Sequence, residues 1–324
     1  MILVIFAKKI GIVIATYNGE RYVKEQIESI LNQTVQPNQI VISDGGSSDN
    51  TVSICESMLE NSGIDYNILI SDIRLSIRDN FQKGLVNCDS DIIFFADQDD
   101  VWNKNKLEIM LKCFSDENVC MVFTNASIVD ENLKDVNKCL WTSIGYKYTE
   151  GIFVYKKLST EYMNMIFKHN IVTGMCMAIT KELKNFSIPF SENSIHDVWI
   201  AFLAIFYGDV VAISDKCVRY RQHGNNAIGT TTSISSSLKH RYGYAQRVES
   251  RERFIKDVWG RVSGVQNENI RCQLEEYESF ILKRCDFLDK RERLSFPIVA
   301  MSEYKRYEYK YWEIILKDYI TRLS

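Results

Sequence analysis

Residues 91–102 read DIIFFADQDDVW: an apolar run, IIFFA, stops at Asp97, Gln98, Asp99 and Asp100 before Val101 and Trp102. An unbroken apolar run of this length is the pattern of a strand buried on both faces, as in parallel sheets covered by helices. Three carboxylates within four residues repel one another unless a positive charge sits among them. A divalent cation with oxygen ligands, shared with substrate phosphates, resolves that repulsion. The competing explanation is a helix N-terminus, with Asp99 or Asp100 capping a helix that starts near Trp102, although capping needs only one acid.

On either side of this stretch the same grammar repeats. IGIVIAT (10–16) leads into a helix over about 20–32, QIVISD (39–44) into one over about 50–61, and YNILIS (66–71) into one over about 79–87. DIIFFAD itself precedes a helix over about 103–114, followed by VCMVFTNA (119–126). Strands alternating with helices predict an α/β, mainly parallel sheet with helices on both faces, where ligands bind at the carboxyl ends of the strands. Three of these ends are polar: TYNGE, DGGSSDN and DQDD. From 140 to 195 the pattern is less regular, with a helix expected near 155–167 and an apolar run at 171–180. VWIAFLAIFYGDVVAI (198–213) is broken at Gly208 and Asp209, so it predicts a buried helix followed by a strand rather than a membrane span. TTTSISSS (230–237) opens a stretch of long charged helices, and the domain boundary is expected there: 8–230, then a helical extension over 231–324.

Composition bounds the class. A chain of 324 residues, 46% hydrophobic and 25% charged with three prolines, holds one large domain plus a smaller one and is neither disordered nor a repeat array. Nine cysteines without CxxC pairs read as reduced residues of a cytosol-facing chain. The opening MILVIF is too short to span a bilayer and carries no cleavage site. The net charge of -3 gives no reason to expect nucleic acid as a partner, but from Thr230 onward 18 Lys+Arg face 14 Asp+Glu. That basic stretch could rest against an anionic membrane surface, or it could be a solvated appendage or oligomer contact.

Further signals lie outside the acid cluster. In SDGGSSDNT (43–51), Asp44 stands at a strand end where it could accept hydrogen bonds from a base or ribose, and Gly45 and Gly46 permit close backbone approach; a plain capped turn reads the same way. ATYNGERY (15–22) is by itself an ordinary strand exit. In SIHDVWIAF (194–202), Asp197 precedes an apolar helix as either a cap or a general base. YRQHGNNAIG (220–229) carries Arg221 and His223 in a loop suited to phosphate and metal contact, with an exposed turn as the plain alternative.

Together, ATYNGE, SDGGSSDNT, ADQDDVW, VTGMCMA, HDVW and YRQHGNNAIG occur in an order that resembles the bacterial family 2 glycosyltransferases of the GT-A fold, and within them the rhamnosyltransferase-like branch, over roughly 8–230. The resemblance implies a Rossmann-like nucleotide-diphospho-sugar transferase fold. It implies a nucleotide pocket of Thr16, Tyr17, Asn18 and Asp44, and a DxD pair, Asp97 and Asp99, with Asp99 nearer a Mn or Mg ion. Asp197 would be the catalytic base and His223 a further metal or diphosphate contact beside Arg221. The expected donor is a dTDP- or UDP-sugar, and the acceptor a glycan or lipid-linked oligosaccharide of the cell envelope. Relatives often read DDGS where this chain has Asp44, Gly45, Gly46 and Ser47, which leaves Asp44 alone to hold base or ribose. Neither a QxxRW motif nor membrane helices are present, so one sugar per encounter is expected rather than processive synthesis.

Rival classes fit less well. A nucleotidyltransferase would carry a glycine-rich phosphate loop near the N-terminus; a haloacid-type phosphatase needs a DxDx[TV] segment, which DQDDV (97–101) fits loosely, but after the fourth strand and with no lysine-bearing partner motif; and a non-catalytic glycan-binding scaffold would not need Asp97, Asp99 and Asp197 intact.

Overall fold

A computed structural model describes residues 8–224, 241–264, 266–289, 296–308 and 311–323. MILVIF, the end of the YRQHGNNAIG segment and the TTTSISSS run lie outside these residues.

The amino-terminal half follows the alternation expected of it. It runs β1 (Ile10–Thr16), α1 (Val23–Leu31), β2 (Gln39–Asp44), α2 (Thr51–Leu59), β3 (Asp65–Ile70), α3 (Ile77–Val86) and β4 (Ile92–Asp97). After β4 come a two-residue strand β5 (Val101–Trp102), α4 (Lys106–Leu111) with a 3-10 turn (Lys112–Ser115), β6 (Val119–Val129), β7 (Asp135–Cys139), α5 (Leu140–Ser143) and β8 (Ile152–Tyr155). Then follow α6 (Thr160–Lys168), a 3-10 turn (Gly174–Cys176), β9 (Met177–Thr180), α7 (Lys181–Ser187), α8 (His196–Tyr207) and β10 (Asp209–Arg221).

The strands form one ten-stranded sheet in the order β3-β2-β1-β4-β9-β6-β10-β5, with β7 on β6 and β8 on β10. β1, β2, β3, β4, β6 and β10 all point one way; the shorter β5, β7, β8 and β9 run against them. The apolar alternation explains the core. Ile12 and Ile14 of β1, Ile40 and Ile42 of β2 and Phe94 and Ala96 of β4 pack in one cluster with Val23, Ile27 and Ile30 of α1. β3 is the exposed edge, with Tyr66 and Ile70 facing solvent, so its YNILIS run is less buried than its composition suggests.

The 198–213 stretch is a helix and a strand, as expected, joined at Gly208. A side chain there would press on the Asn118 carbonyl at 2.7 Å. No described helix is long and apolar enough to cross a membrane. All nine cysteines are free, and six of them are buried.

The chain divides into two compact units. The first comprises Met1–Lys157, Ile171–Phe190 and Ile195–Asn226; the second comprises Leu158–Asn170, Ser191–Ser194 and Ala227–Ser324. A single cut at 230 therefore does not separate them, because α6 belongs with the carboxy-terminal helices. Those helices are α9 (Arg241–Val262), α10 (Glu268–Leu288), α11 (Phe296–Val299), α12 (Met301–Tyr307) and α13 (Tyr311–Leu323). α6 joins them because its buried face (Tyr162, Met163, Ile166 and Phe167) needs apolar partners; Phe167 stacks on Tyr277 with ring centroids 4.1 Å apart and meets Tyr307 edge-on. The same unit buries an ionic knot. Arg284 makes a two-pronged contact with Asp318 at 3.0 and 3.1 Å and a third bond to Glu308, which Arg251 also pairs.

Candidate active site

The site lies at the carboxyl ends of β1, β2 and β4. Thr16 pairs with Asp44 across β1 and β2, and Ala15 with Asp97 across β1 and β4, so three polar strand exits converge on one rim. β1 sits between β2 and β4, where crossovers leave in opposite directions and open the crevice used by doubly wound sheets for ligands.

On the β1–β2 side, Asp44 organises the turn. Its Oδ1 accepts from the Gly46 and Ser47 amides at 3.0 and 2.7 Å, and its Oδ2 from the Thr16 and Ser47 hydroxyls at 2.8 and 2.6 Å. A carboxylate offers about four acceptor positions, and here all four are filled from within the chain. The sequence reading gave Asp44 to base or ribose; the structure gives this fully buried group the shaping of the loop that a nucleotide would meet. Gly46 is required by that loop: its φ is +89°, and a Cβ would stand 2.9 Å from the Ile73 carbonyl. Asn18, at φ 46°, accepts from the Ser48 amide at 2.8 Å and ties the two strand exits together. Tyr17 is half-buried, and its backbone is clasped by the Gln98 amide group at 2.8 and 3.0 Å, which fastens the nucleotide rim to the acid cluster. The exposed Arg74 guanidinium lies 4.7 Å over the Tyr17 ring. Neither Gln98 nor Arg74 stood out in the sequence; only the contacts identify them.

On the β4 side the capping alternative is removed. Residues 101–102 form β5, and α4 begins only at Lys106 with Asn105 at its cap, so neither Asp99 nor Asp100 caps a helix. β5 instead pairs with β10, Val101 with Arg219 and Trp102 with Val218, which brings 221–223 alongside the acids. Asp99 Oδ2 lies 2.9 Å from His223 Nε2, and the His223 ring stacks on Tyr22 at 4.6 Å. Asp100 is fully buried; its Oδ1 accepts from the Arg221 amide at 3.0 Å, and its Oδ2 has no partner among the described residues.

Arg221 is itself buried. Its guanidinium donates to the Asp99 carbonyl at 2.8 Å, to the Glu131 carbonyl at 2.8 Å and to the Glu25 carboxylate, so it holds the shape of the acid turn from behind. Burial, then the negative charges of Asp99 and Asp197, push Asp97 above the usual carboxylate range. Burial with Asp99 and Asp97 does the same to Asp100.

This arrangement fits a divalent cation. Asp99 Oδ2 and His223 Nε2, hydrogen-bonded to each other at 2.9 Å, are both atoms that can ligate such an ion. Lys106 offsets the negative charge around Asp97 and Asp100 only in part, and with the orphaned Asp100 oxygen the remainder favours a further cation nearby. No group of three His, Cys, Asp or Glu side chains converges on one point among the described residues, so protein would supply part of the shell and donor phosphates with water the rest.

Asp197 stands in the first turn of α8, where Ile195, not Asp197, is the cap residue. Its Oδ2 accepts from the Gly174 amide at 3.1 Å and its Oδ1 from its neighbour Val198 at 2.7 Å. Burial pushes its carboxyl up to about 6, against those two hydrogen bonds. Its negative charge is one of the influences that raise Asp97, which puts the expected base in the neighbourhood of the expected DxD pair. Gly174 belongs to the VTGMCMA segment; a Cβ there would meet the His196 ring at 2.5 Å, so only glycine lets this turn approach α8. His196 stacks on Phe81 at 4.0 Å and packs beside Phe95 at 5.8 Å, neither ring nitrogen has a partner among the described residues, and burial pulls it down to about 3, which keeps it neutral.

Comparisons with known proteins point to sugar transferases. Over 239 residues the chain is 29% identical to the dTDP-rhamnosyl transferase RfbG of Shigella flexneri, covering 69% of this chain and 76% of that protein. It is 25% identical to WfgD of Escherichia coli, a UDP-Glc:alpha-D-GlcNAc-diphosphoundecaprenol beta-1,3-glucosyltransferase, over 65% of this chain and 76% of that one. In fold it resembles Staphylococcus aureus TarS 1-349 solved with UDP, at a TM-score of 0.61 and 15% identity, covering 89% of this chain and 77% of that one. Residues 11–181, more than half of the chain, match the sequence model of glycosyl transferase family 2. They span the β1 and β2 exits, the acid cluster and the Gly174 turn, and the chain belongs to that family.

Proposed function

We propose that this chain transfers a single rhamnose or hexose, with inversion, from a dTDP- or UDP-linked donor to an acceptor hydroxyl during synthesis of a bacterial surface polysaccharide such as O-antigen, capsule or cell-wall glycan. The observation that carries the reading is the approach of a buried, weakly acidic Asp197 to the Asp97–Asp99 cluster at the carboxyl rim of the sheet. Rhamnose and dTDP are favoured by the likeness to a protein named for that donor, and a UDP-hexose by the likeness to a glucosyltransferase.

Asp197, ionised above pH 6, takes the proton of the acceptor hydroxyl as its oxygen attacks the anomeric carbon. The carbon–oxygen bond to the diphosphate breaks on the opposite face, so a single displacement inverts the centre and no protein nucleophile is needed. Thr16, Tyr17 and Asn18, on the loop that Asp44 shapes, hold the nucleotide. Asp97 meets the donor beside Asp99 and His223, which would hold Mn²⁺ or Mg²⁺; such an ion would supply positive charge opposite the leaving diphosphate. Arg221 keeps the acid turn in register. The acceptor is a glycan or lipid-linked oligosaccharide, reached by peripheral contact of the basic carboxy-terminal helices with the inner face of the cell membrane.

Calorimetry across dTDP-, UDP- and GDP-sugars, with Mn²⁺ and then with chelator, tests the reading. One donor should bind and be lost on chelation; no binding by any donor in either condition would overturn it. Proton NMR of the product then reports whether the anomeric configuration inverts.

A further inference from the structure

We propose that Lys106 is a positioning residue that fixes the general base by holding the Gly174–Cys176 turn, and that it thereby links the β5 segment following the acid cluster to Asp197; this rests on the assignment of Asp197 above. Lys106 is the first residue of α4 and is completely buried. Its Nζ donates to the Met175 carbonyl at 2.6 Å and sits 3.4 Å from the centroid of the Trp102 ring. Met175 is the middle residue of the turn whose preceding residue, Gly174, donates its amide to Asp197 Oδ2. Trp102 is the second residue of β5, two positions beyond Asp100, and its amide is anchored on the Ser29 hydroxyl. One ammonium therefore spans two segments that are otherwise distant in sequence: the strand leaving the acids and the turn that carries a hydrogen bond to the base.

Burial pulls the Lys106 ammonium down to about 7, and the attraction of the nearby Asp97 and Asp100 carboxylates offsets part of that cost. Burying an ammonium is costly, and the first turn of a helix, with its exposed amide dipoles, is the less favourable end for a cation. A methionine would fill nearly the same volume at no desolvation cost, but it would leave the Met175 carbonyl without its donor and the Asp97 and Asp100 carboxylates without a neighbouring cation. What methionine cannot do is donate to the Met175 carbonyl. Without that bond the turn is free to shift relative to Asp197, and a base displaced by a fraction of an ångström from the acceptor proton loses rate without losing donor affinity.

The experiment is kinetic, with stability measured alongside. Lys106→Met should lower kcat by about ten- to a hundredfold while the donor KM stays within about twofold, in a protein that still unfolds in one cooperative transition at a lower melting temperature. In an Asp197→Asn background, where there is no base to position, the same substitution should change kcat by less than about twofold. A Lys106→Met enzyme with wild-type kcat, or one that loses activity equally in both backgrounds, overturns the proposal. A fall in kcat matched by a fall in melting temperature, with no dependence on Asp197, shows a merely structural lysine and overturns it as well. Near-normal turnover of the single Asp197→Asn variant instead refutes the base assignment itself, so the two failures are told apart.

Discussion

Replacing Asp197 by asparagine separates chemistry from folding, because the same burial that makes the carboxylate a useful base also makes its charge costly. Its carboxyl rises from 3.8 to about 6 on folding. A difference of about two units corresponds to about 3 kcal/mol of charge burial, taken as an upper bound for a group only 5% exposed. The sign follows from a folded value above the unfolded one: the contribution to stability is full below pH 3.8 and is lost as pH rises through 6.

Asparagine removes that penalty but leaves one of the two backbone donors, Gly174 or Val198, without an acceptor, at a cost of about 1 kcal/mol. The stability of Asp197→Asn relative to wild type should therefore swing by up to about 3 kcal/mol between pH 4 and pH 8, from slightly less stable to more stable. Urea unfolding at the two pH values reads the swing directly. In parallel, kcat should fall by about 10²-fold or more, and the wild-type acid limb, a tenfold loss per pH unit below about 6, should disappear. A variant with wild-type turnover, or a stability difference that does not change with pH, would refute the reasoning.

Other consequences follow from the same contacts. Asp99→Ala removes the partner of His223 and should weaken donor binding in Mn²⁺ while leaving the residual binding in chelator unchanged; a calorimetric titration that still depends fully on metal would count against the pair. Arg284→Met strips the cation from between Asp318 and Glu308 and should destabilise the second unit by about 3–5 kcal/mol, seen as an earlier urea transition, whereas an unmoved midpoint would mean Arg251 alone suffices. The full chain should sediment with phosphatidylglycerol-containing vesicles at low salt and be released as salt rises; no sedimentation at low salt would remove the membrane contact from the proposal.

How much of this was legible in the sequence depends on the range of the interaction concerned. The apolar runs of β1, β2 and β4 and the acids that end them are local signals, so the sheet and its active rim could be read directly, and so could the helix-then-strand break at Gly208. The role of Arg221 could not. A charged residue beside a histidine in a polar loop looks like a ligand contact, and only the pairing of β5 with β10 turns its guanidinium towards the Asp99 and Glu131 carbonyls. Asp44 shows the same limit, since an acid at a strand exit reads alike whether it faces a ligand or ties its own turn, and the four bonds it makes within the chain appear only in the fold. Lys106 was hidden by its helical surroundings: a lysine in KNKL suggests a solvated face, and nothing within ten residues reveals the Met175 carbonyl above it. The membership of α6 in the second unit rests on aromatic stacking with residues more than a hundred positions away, which no periodicity encodes.

That last arrangement bears on how such enzymes can be recombined. Because Leu158–Asn170 and Ser191–Ser194 belong to the second unit, the polypeptide leaves the catalytic unit and returns to it twice before β10 is complete. The helical unit is therefore an interleaved part of the chain rather than a module that can be exchanged at one junction. A chimaera joined near residue 230 would pair one parent's α6 with the other parent's helices, and Phe167 would have to find a tyrosine where Tyr277 now stands. Functional exchange between relatives calls for three crossover segments moved together, and natural variation in the helical unit should be correlated with variation in 158–170.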